Sequence, residues 1–91
     1  MINTLRMMET KVKKAMEEKI AFSEGLPLED FEYSGYRSGK FSAFAKCGLT
    51  GERCLIEVDA WDMTISYRYR SNPENVWQMG SILRFVQGDA A

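Results

Sequence analysis

The chain has 91 residues, 45% of them hydrophobic and 27% charged, with 12 basic against 13 acidic side chains and no histidine. This composition is typical of a folded domain and excludes disorder, collagen-like repetition and one continuous coiled coil. We therefore expect residues 1–91 to form a single domain. The net charge of −1 argues against strong non-specific attraction to DNA or to an anionic membrane, because such binding requires many cations.

The first residues carry Arg6, Glu9 and Lys11, whereas a signal peptide needs an apolar segment there. No apolar run approaches the roughly 18–20 residues that span a bilayer. We expect a cytoplasmic protein that makes no contact with a membrane. In that reducing compartment, Cys47 and Cys54 are expected to be free thiols that serve as small buried side chains.

The first predicted element is an amphipathic helix over residues 3–22, which contain neither Gly nor Pro. Its apolar residues follow one another at spacings of three, four, four and four, the period of one helix face. They are Leu5, Met8, Val12, Met16 and Ile20.

Apolar and polar residues then alternate with a period of two, which predicts antiparallel strands over residues 41–47, 54–60 and 63–69. Residues 31–37 are a weaker candidate strand because they contain Gly35, so three- and four-stranded sheets both remain open. Pairing Cys47 with Cys54 and Ala60 with Met63 places the apolar series of neighbouring strands on one side of the sheet.

A second helix is predicted to begin at the sequence Asn72-Pro73-Glu74, since Asn is a good N-cap and Pro suits the first helical position. We expect it to end near residue 86 or 87, with Gly88 as its C-terminal cap and residues 89–91 frayed. The predicted fold is an α+β two-layer sandwich: an N-terminal helix, an antiparallel meander and a C-terminal helix. Both helices would cover the sheet face that carries Ile56 and Tyr67.

Several chemistries are excluded or disfavoured. Without histidine, Ser-His-Asp and Cys-His catalysis within one chain are impossible. Two cysteines supply half of a Cys₄ zinc site, which a symmetric dimer would have to complete, and a cross-strand disulfide is a further minor alternative. We expect no enzyme, no cofactor and no metal.

An interaction surface is the stronger hypothesis. Phe44, Leu55 and Trp61 are predicted on the sheet face that no helix covers, and the assumed register makes Phe44 and Leu55 diagonal neighbours. The predicted C-terminal helix has more apolar residues than one stripe can bury. Trp77 and Phe85 then pack either against the methionine-rich first helix or against a partner.

The leading functional hypothesis is a small protein-interaction module that forms a homodimer and regulates or inhibits a partner. We expect it to be an accessory protein of a phage or other mobile element. Its partner-binding residues would be Phe44, Leu55, Trp61, Arg68, Trp77 and Phe85. A single-stranded nucleic-acid binder is the alternative and would use the strand of residues 67–70 with Lys40, Lys46, Arg68 and Arg70. A carboxylate-based enzyme using Glu57, Asp59 and Asp62 is a third hypothesis, although an ion pair between Glu57 and Arg68 explains that cluster more simply.

Overall fold

The fold was obtained as a computed structural model, which describes residues 4–21, 28–83 and 86. One helix, α1, is followed by five strands in a single antiparallel sheet whose spatial order is the chain order. The elements are α1 Thr4–Ala21, β1 Leu28–Arg37, β2 Lys40–Cys47, β3 Arg53–Asp59, β4 Thr64–Tyr69 and β5 Trp77–Ser81. The N-terminal helix and the antiparallel meander are thus confirmed, but the sheet has five strands rather than three or four.

The predicted apolar stripe of α1 is buried against the sheet. Val12, Met16 and Ile20 belong to the core together with Ala15, and Met8 packs against it. Lys13, Lys14 and Glu17 lie on the exposed side, as expected for a helix that packs on one face only. The side chain of Leu5 lies outside the described residues.

The sheet has one buried face, which we call the inner face, and α1 lies on it. Inner-face side chains alternate along β2 and β3 in positions 41, 43, 45 and 47 and in positions 54, 56 and 58, and all of them are buried. On β4, Ile65 is fully buried, and Tyr67 and Tyr69 are half-buried. The predicted assignment of Ile56 and Tyr67 to the helix-covered side is confirmed. The opposite side is called the outer face.

Two contacts show how α1 crosses the inner face. The Tyr33 hydroxyl of β1 donates a hydrogen bond to Glu9 Oε2 of α1 at 2.6 Å. Near the other end of α1, Lys19 Nζ lies 3.9 Å from the point that a Cβ at Gly80 of β5 would occupy. The helix therefore reaches from the first strand to the last, and the inner face is buried beneath it.

The turns set the registers of the strands. Ser38 and Gly39 both have positive φ, 51° and 80°, and join β1 to β2 in the type I′ geometry that two-residue hairpins favour. Between β2 and β3, the Cys47 amide donates to Glu52 O at 2.7 Å across a four-residue loop.

The predicted pairing of Cys47 with Cys54 is wrong by two residues, because the loop is shorter than that pairing requires. Cys54 is opposite Ala45 instead. A shift of two residues leaves every side chain on its predicted face. The register that follows from pairing Ala60 with Met63 is confirmed, since Val58 is opposite Ile65 and Ile56 opposite Tyr67.

The predicted C-terminal helix is wrong. Residues 71–76 form turns, with the Asn72 amide donating to Tyr69 O and the Asn75 amide to Asn72 O, both at 3.1 Å. Residues 77–81 form β5 because β4 offers an unpaired edge. Gly80, with φ 94°, has a backbone that a right-handed helix excludes.

The apolar side chains of this last segment differ in burial. Val76 and Leu83 are exposed, whereas Met79 and Val86 pack partly against the core. Ile82 is fully buried, and its carbonyl accepts a hydrogen bond from the Val86 amide at 3.0 Å. Gly88 and residues 89–91 lie outside the described part of the chain.

Candidate binding surface on the outer face

A row of four side chains crosses the outer face at its middle. From β1 to β4 the row contains Glu32, Phe44, Leu55 and Arg68, each directly opposite the next in the strand register. Phe44 and Leu55 are therefore direct neighbours rather than the predicted diagonal ones. Both are half-buried, and within the described residues no helix lies over them.

A second row, one step closer to the β2–β3 loop, carries three cations. Lys46 is opposite Arg53, and the Arg70 amide donates to Arg53 O at 2.9 Å, which continues the ladder from β3 to the end of β4. All three side chains are exposed. We call Lys46, Arg53 and Arg70 the cationic row.

Arg53 connects the cationic row to the apolar centre. Its guanidinium carbon lies 5.1 Å from the centroid of the Phe44 ring, which is the geometry of a cation–π contact. Phe44 and Arg53 together separate two grooves. The larger, about 500 Å³, extends over Leu55 to Arg68, Arg70 and Pro73. The smaller, about 230 Å³, extends toward Lys46 and the β1 carboxylates Asp30 and Glu32.

The carboxylates once considered for catalysis each have a structural partner. Glu57 Oε1 lies 3.6 Å from an Arg68 guanidinium nitrogen, in the predicted diagonal arrangement. Asp59 Oδ1 accepts a hydrogen bond from the Trp61 amide at 2.8 Å, and Asp62 Oδ1 accepts one from the Thr64 amide at 3.0 Å. The Thr64 hydroxyl, 2.7 Å from the same oxygen, lowers the pKa of Asp62. A general acid requires the opposite shift.

The predicted site residues fall into separate groups. Phe44, Leu55 and Arg68 are brought together on the outer face, and Lys46 and Arg70 join them. Trp61 is 94% exposed in the turn between β3 and β4, at the opposite end of the sheet. Lys40 lies at that same end, opposite Asp59.

Trp77 is also separated from Phe44. It lies on the edge strand β5 opposite Tyr67, and the two rings stack with centroids 6.1 Å apart and planes 12° from parallel. Tyr67 belongs to the inner face, so Trp77 does too, although it remains 47% exposed. Phe85 lies outside the described residues.

Arg53 is a site residue that sequence reasoning missed. The predicted third strand began at Cys54, and so Arg53 was assigned to the loop. The alternation of β3 contained the signal, because Arg53, Leu55 and Glu57 occupy odd positions and share the outer face. A four-residue loop after Cys47 would have started the strand two residues earlier, at Glu52, and so included Arg53.

Cys47 and Cys54 are free and buried on the inner face. Hydrogen bonding to the Thr50 side chain lowers the pKa of Cys47, whereas burial raises the pKa of Cys54. Over residues 4–21, 28–83 and 86, no three Cys, Asp or Glu side chains gather closely enough to hold a metal ion. In the same ranges, no helix combines the length and the apolar character needed to cross a bilayer.

Comparisons of the chain with protein-family models, with curated proteins and with solved structures found no match. Its function is therefore inferred from the chemistry of the outer face.

Proposed function

We propose that this protein is a non-enzymatic interaction module that binds another protein through its outer face. The observation that supports this proposal best is the direct pairing of Phe44 with Leu55 on a face that α1 does not cover. Polar side chains surround the pair, including Ser42, Glu57 and Arg68. An apolar centre within a polar rim is the usual composition of a protein interface.

The proposal has a finer part, in which partner binding regulates or inhibits the partner and the chain forms a homodimer in the cytoplasm. The half-exposed Trp77 on the edge strand β5 supports self-association, since an unpaired strand edge with an aromatic residue is a natural contact surface. We further propose that the protein is an accessory protein of a phage or other mobile element.

The test compares capture by the wild-type protein with capture by Phe44→Ala, Leu55→Ala and the double variant, using lysate of the cells that produce the protein. Leu49→Ala is the matched control, because Leu49 is 82% exposed in the β2–β3 loop and lies outside both rows. We expect the double variant to capture at least about tenfold less partner, since truncating a central interface anchor costs more than about 1 kcal/mol. Leu49→Ala should capture as much as the wild type.

Equal capture by the wild type and a folded double variant would contradict the proposal. Light scattering on the purified protein tests the homodimer separately, since a monomeric mass would contradict that part alone. Thermal unfolding of each variant establishes that a loss of capture does not reflect a loss of fold.

Single-stranded nucleic-acid binding is the second candidate. Lys46, Arg68 and Arg70, which sequence reasoning assigned to it, lie on one face with Arg53 and near the Phe44 ring. Cations beside an aromatic ring form the usual surface for single strands. Its distinguishing property is affinity that falls steeply with salt.

A further inference from the structure

The cationic row works against folding. Lys46, Arg53 and Arg70 occupy adjacent positions on three neighbouring strands, about 5 Å apart in the hydrogen-bonding direction. Like charges that are directly opposite each other destabilise a sheet. Neutral polar side chains at these exposed positions would remove that repulsion. A contribution to folding stability therefore does not explain why three cations occupy them.

Among the described residues, the row makes no ion pair at contact distance, although Glu29 of β1 is opposite Lys46 in the strand register. Glu57 lies at ion-pair distance from Arg68, and Glu52, next to Arg53 in the chain, accepts a hydrogen bond from the Ser71 hydroxyl. In the described part of the chain, no carboxylate oxygen lies within 4.0 Å of Lys46, Arg53 or Arg70. Three exposed positive charges are therefore available to an external anion.

The larger groove places two of these charges, those of Arg53 and Arg70, beside apolar surface. Phe44, Leu55 and Pro73 supply apolar surface to the groove, while Arg53, Arg68 and Arg70 line it with guanidinium groups. Guanidinium groups bind carboxylates and phosphates through paired hydrogen bonds. The groove thus offers contacts for anionic and apolar groups within one ligand.

The surrounding charges favour separate carboxylates over a continuous phosphate backbone. Asp30 and Glu32 border the neighbouring groove, and Glu57 lies beside Arg68, so a polyanion crossing the face would meet negative charge on either side. Phe44, whose ring lines both grooves, already carries the Arg53 guanidinium, which obstructs base stacking. On an extended peptide, carboxylates two residues apart are separated by about 7 Å, so each acts as a separate charge.

Building on the proposed function, the geometry points to an acidic partner. We infer that the larger groove binds an extended segment in which Asp or Glu residues alternate with apolar residues. The carboxylates pair with Arg53, Arg68 and Arg70, and the apolar side chains lie against Phe44 and Leu55.

The probe is a fluorescent peptide of about ten residues in which Glu alternates with Leu, an extended length of roughly 33 Å. A peptide with Gln in place of every Glu and an oligodeoxythymidine of similar length are compared with it by fluorescence anisotropy. The protein variants are Arg53→Gln/Arg70→Gln, the charge-preserving Arg53→Lys/Arg70→Lys, and Arg37→Gln as the control. Arg37 is an exposed arginine at the far end of β1.

We expect the Glu peptide to bind about tenfold more tightly than the Gln peptide, because two charge-assisted contacts are lost in the latter. The double Gln variant should lose about tenfold in affinity for the Glu peptide, the double Lys variant should lose less, and Arg37→Gln should bind as the wild type does. Thermal unfolding of the same variants verifies that each is folded.

Equal binding of the two peptides, absence of binding, or equal losses for the double Gln variant and Arg37→Gln would overturn this inference. Tighter binding of the oligonucleotide with the same Arg53 and Arg70 dependence would overturn it in favour of nucleic acid. The proposed function fails separately. If capture of a partner depends on Phe44 and Leu55 but not on the two arginines, the module stands and its acidic specificity is wrong.

Discussion

At the residue scale, one hydrogen bond connects the helix with the first strand. The Tyr33 hydroxyl donates to Glu9 Oε2 at 2.6 Å in a partly buried position. Burial, followed by the hydrogen bond and charge of Glu9, raises the pKa of Tyr33 well above its ordinary value of 10.0. The folded protein therefore holds the phenol proton of Tyr33 more tightly than the unfolded chain does. At a pH where Tyr33 ionises only in the unfolded chain, the folded protein loses stability.

Tyr33→Phe should lower the free energy of unfolding at neutral pH by about 1.5–3 kcal/mol, the usual net value of a hydrogen bond to a charged group. The contribution of Tyr33 is complete below pH 10, the ordinary tyrosine pKa, and is lost as the pH rises further, because the unfolded chain ionises first. The difference between the wild type and Tyr33→Phe should consequently narrow above pH 10. Urea unfolding at several pH values measures both effects.

Tyr36→Phe is the control for that experiment, since Tyr36 is 39% exposed on the same strand. Tyr36→Phe also removes one hydroxyl, and it should leave the free energy of unfolding almost unchanged. Equal effects of the two substitutions would show that the contact between Tyr33 and Glu9 contributes nothing specific.

At the scale of elements, the sequence was informative where its period was clear. The spacing of Met8, Val12, Met16 and Ile20 predicted α1, and strict alternation predicted β2, β3 and β4 with the correct inner face. The last segment was misassigned because its apolar residues fit a helical stripe nearly as well as a strand. The unpaired edge of β4, which only the assembled sheet provides, selects the strand.

Gly80 supplies the element-scale prediction. Its φ of 94° is strained for any residue with a Cβ, so Gly80→Ala should lower the free energy of unfolding by about 1–2 kcal/mol. A helix would respond with the opposite sign, since Ala stabilises a helix interior relative to Gly by about 1 kcal/mol. Denaturant unfolding of Gly80→Ala distinguishes the two.

Gln78→Ala is the control for Gly80, being an exposed β5 position without positive φ. It should change the free energy of unfolding by less than about 0.5 kcal/mol. A stabilising effect of Gly80→Ala would contradict the assignment of residues 77–81 to a strand.

At the scale of the whole molecule, a net charge of −1 conceals an uneven distribution. Lys46, Arg53 and Arg70 are adjacent on the outer face near the β2–β3 loop, whereas at the opposite end of the sheet Lys40 is opposite the acidic Asp59. The net charge of the whole chain does not show this grouping. The alternation of side chains along a strand predicts only which face of the sheet a residue occupies. Which cations become neighbours depends on the register, and the register depends on a loop length that the residue pattern did not determine.

The central claim about the whole molecule is that α1 covers the inner face of the sheet and leaves the outer face open. Phe41 and Phe44 lie three positions apart on β2 and point to opposite faces. Phe41 is fully buried in the core, whereas Phe44 is half-buried on the outer face. Their alanine variants therefore compare the two faces with the same residue type on the same strand.

The most direct test is urea unfolding of Phe41→Ala and Phe44→Ala beside the wild type. Phe41→Ala should lower the free energy of unfolding by about 3–5 kcal/mol, the cost of a large cavity in a core, and Phe44→Ala by only about 1 kcal/mol. An equal or larger loss for Phe44→Ala would contradict the claim, because the outer face would then be buried and unavailable to a partner.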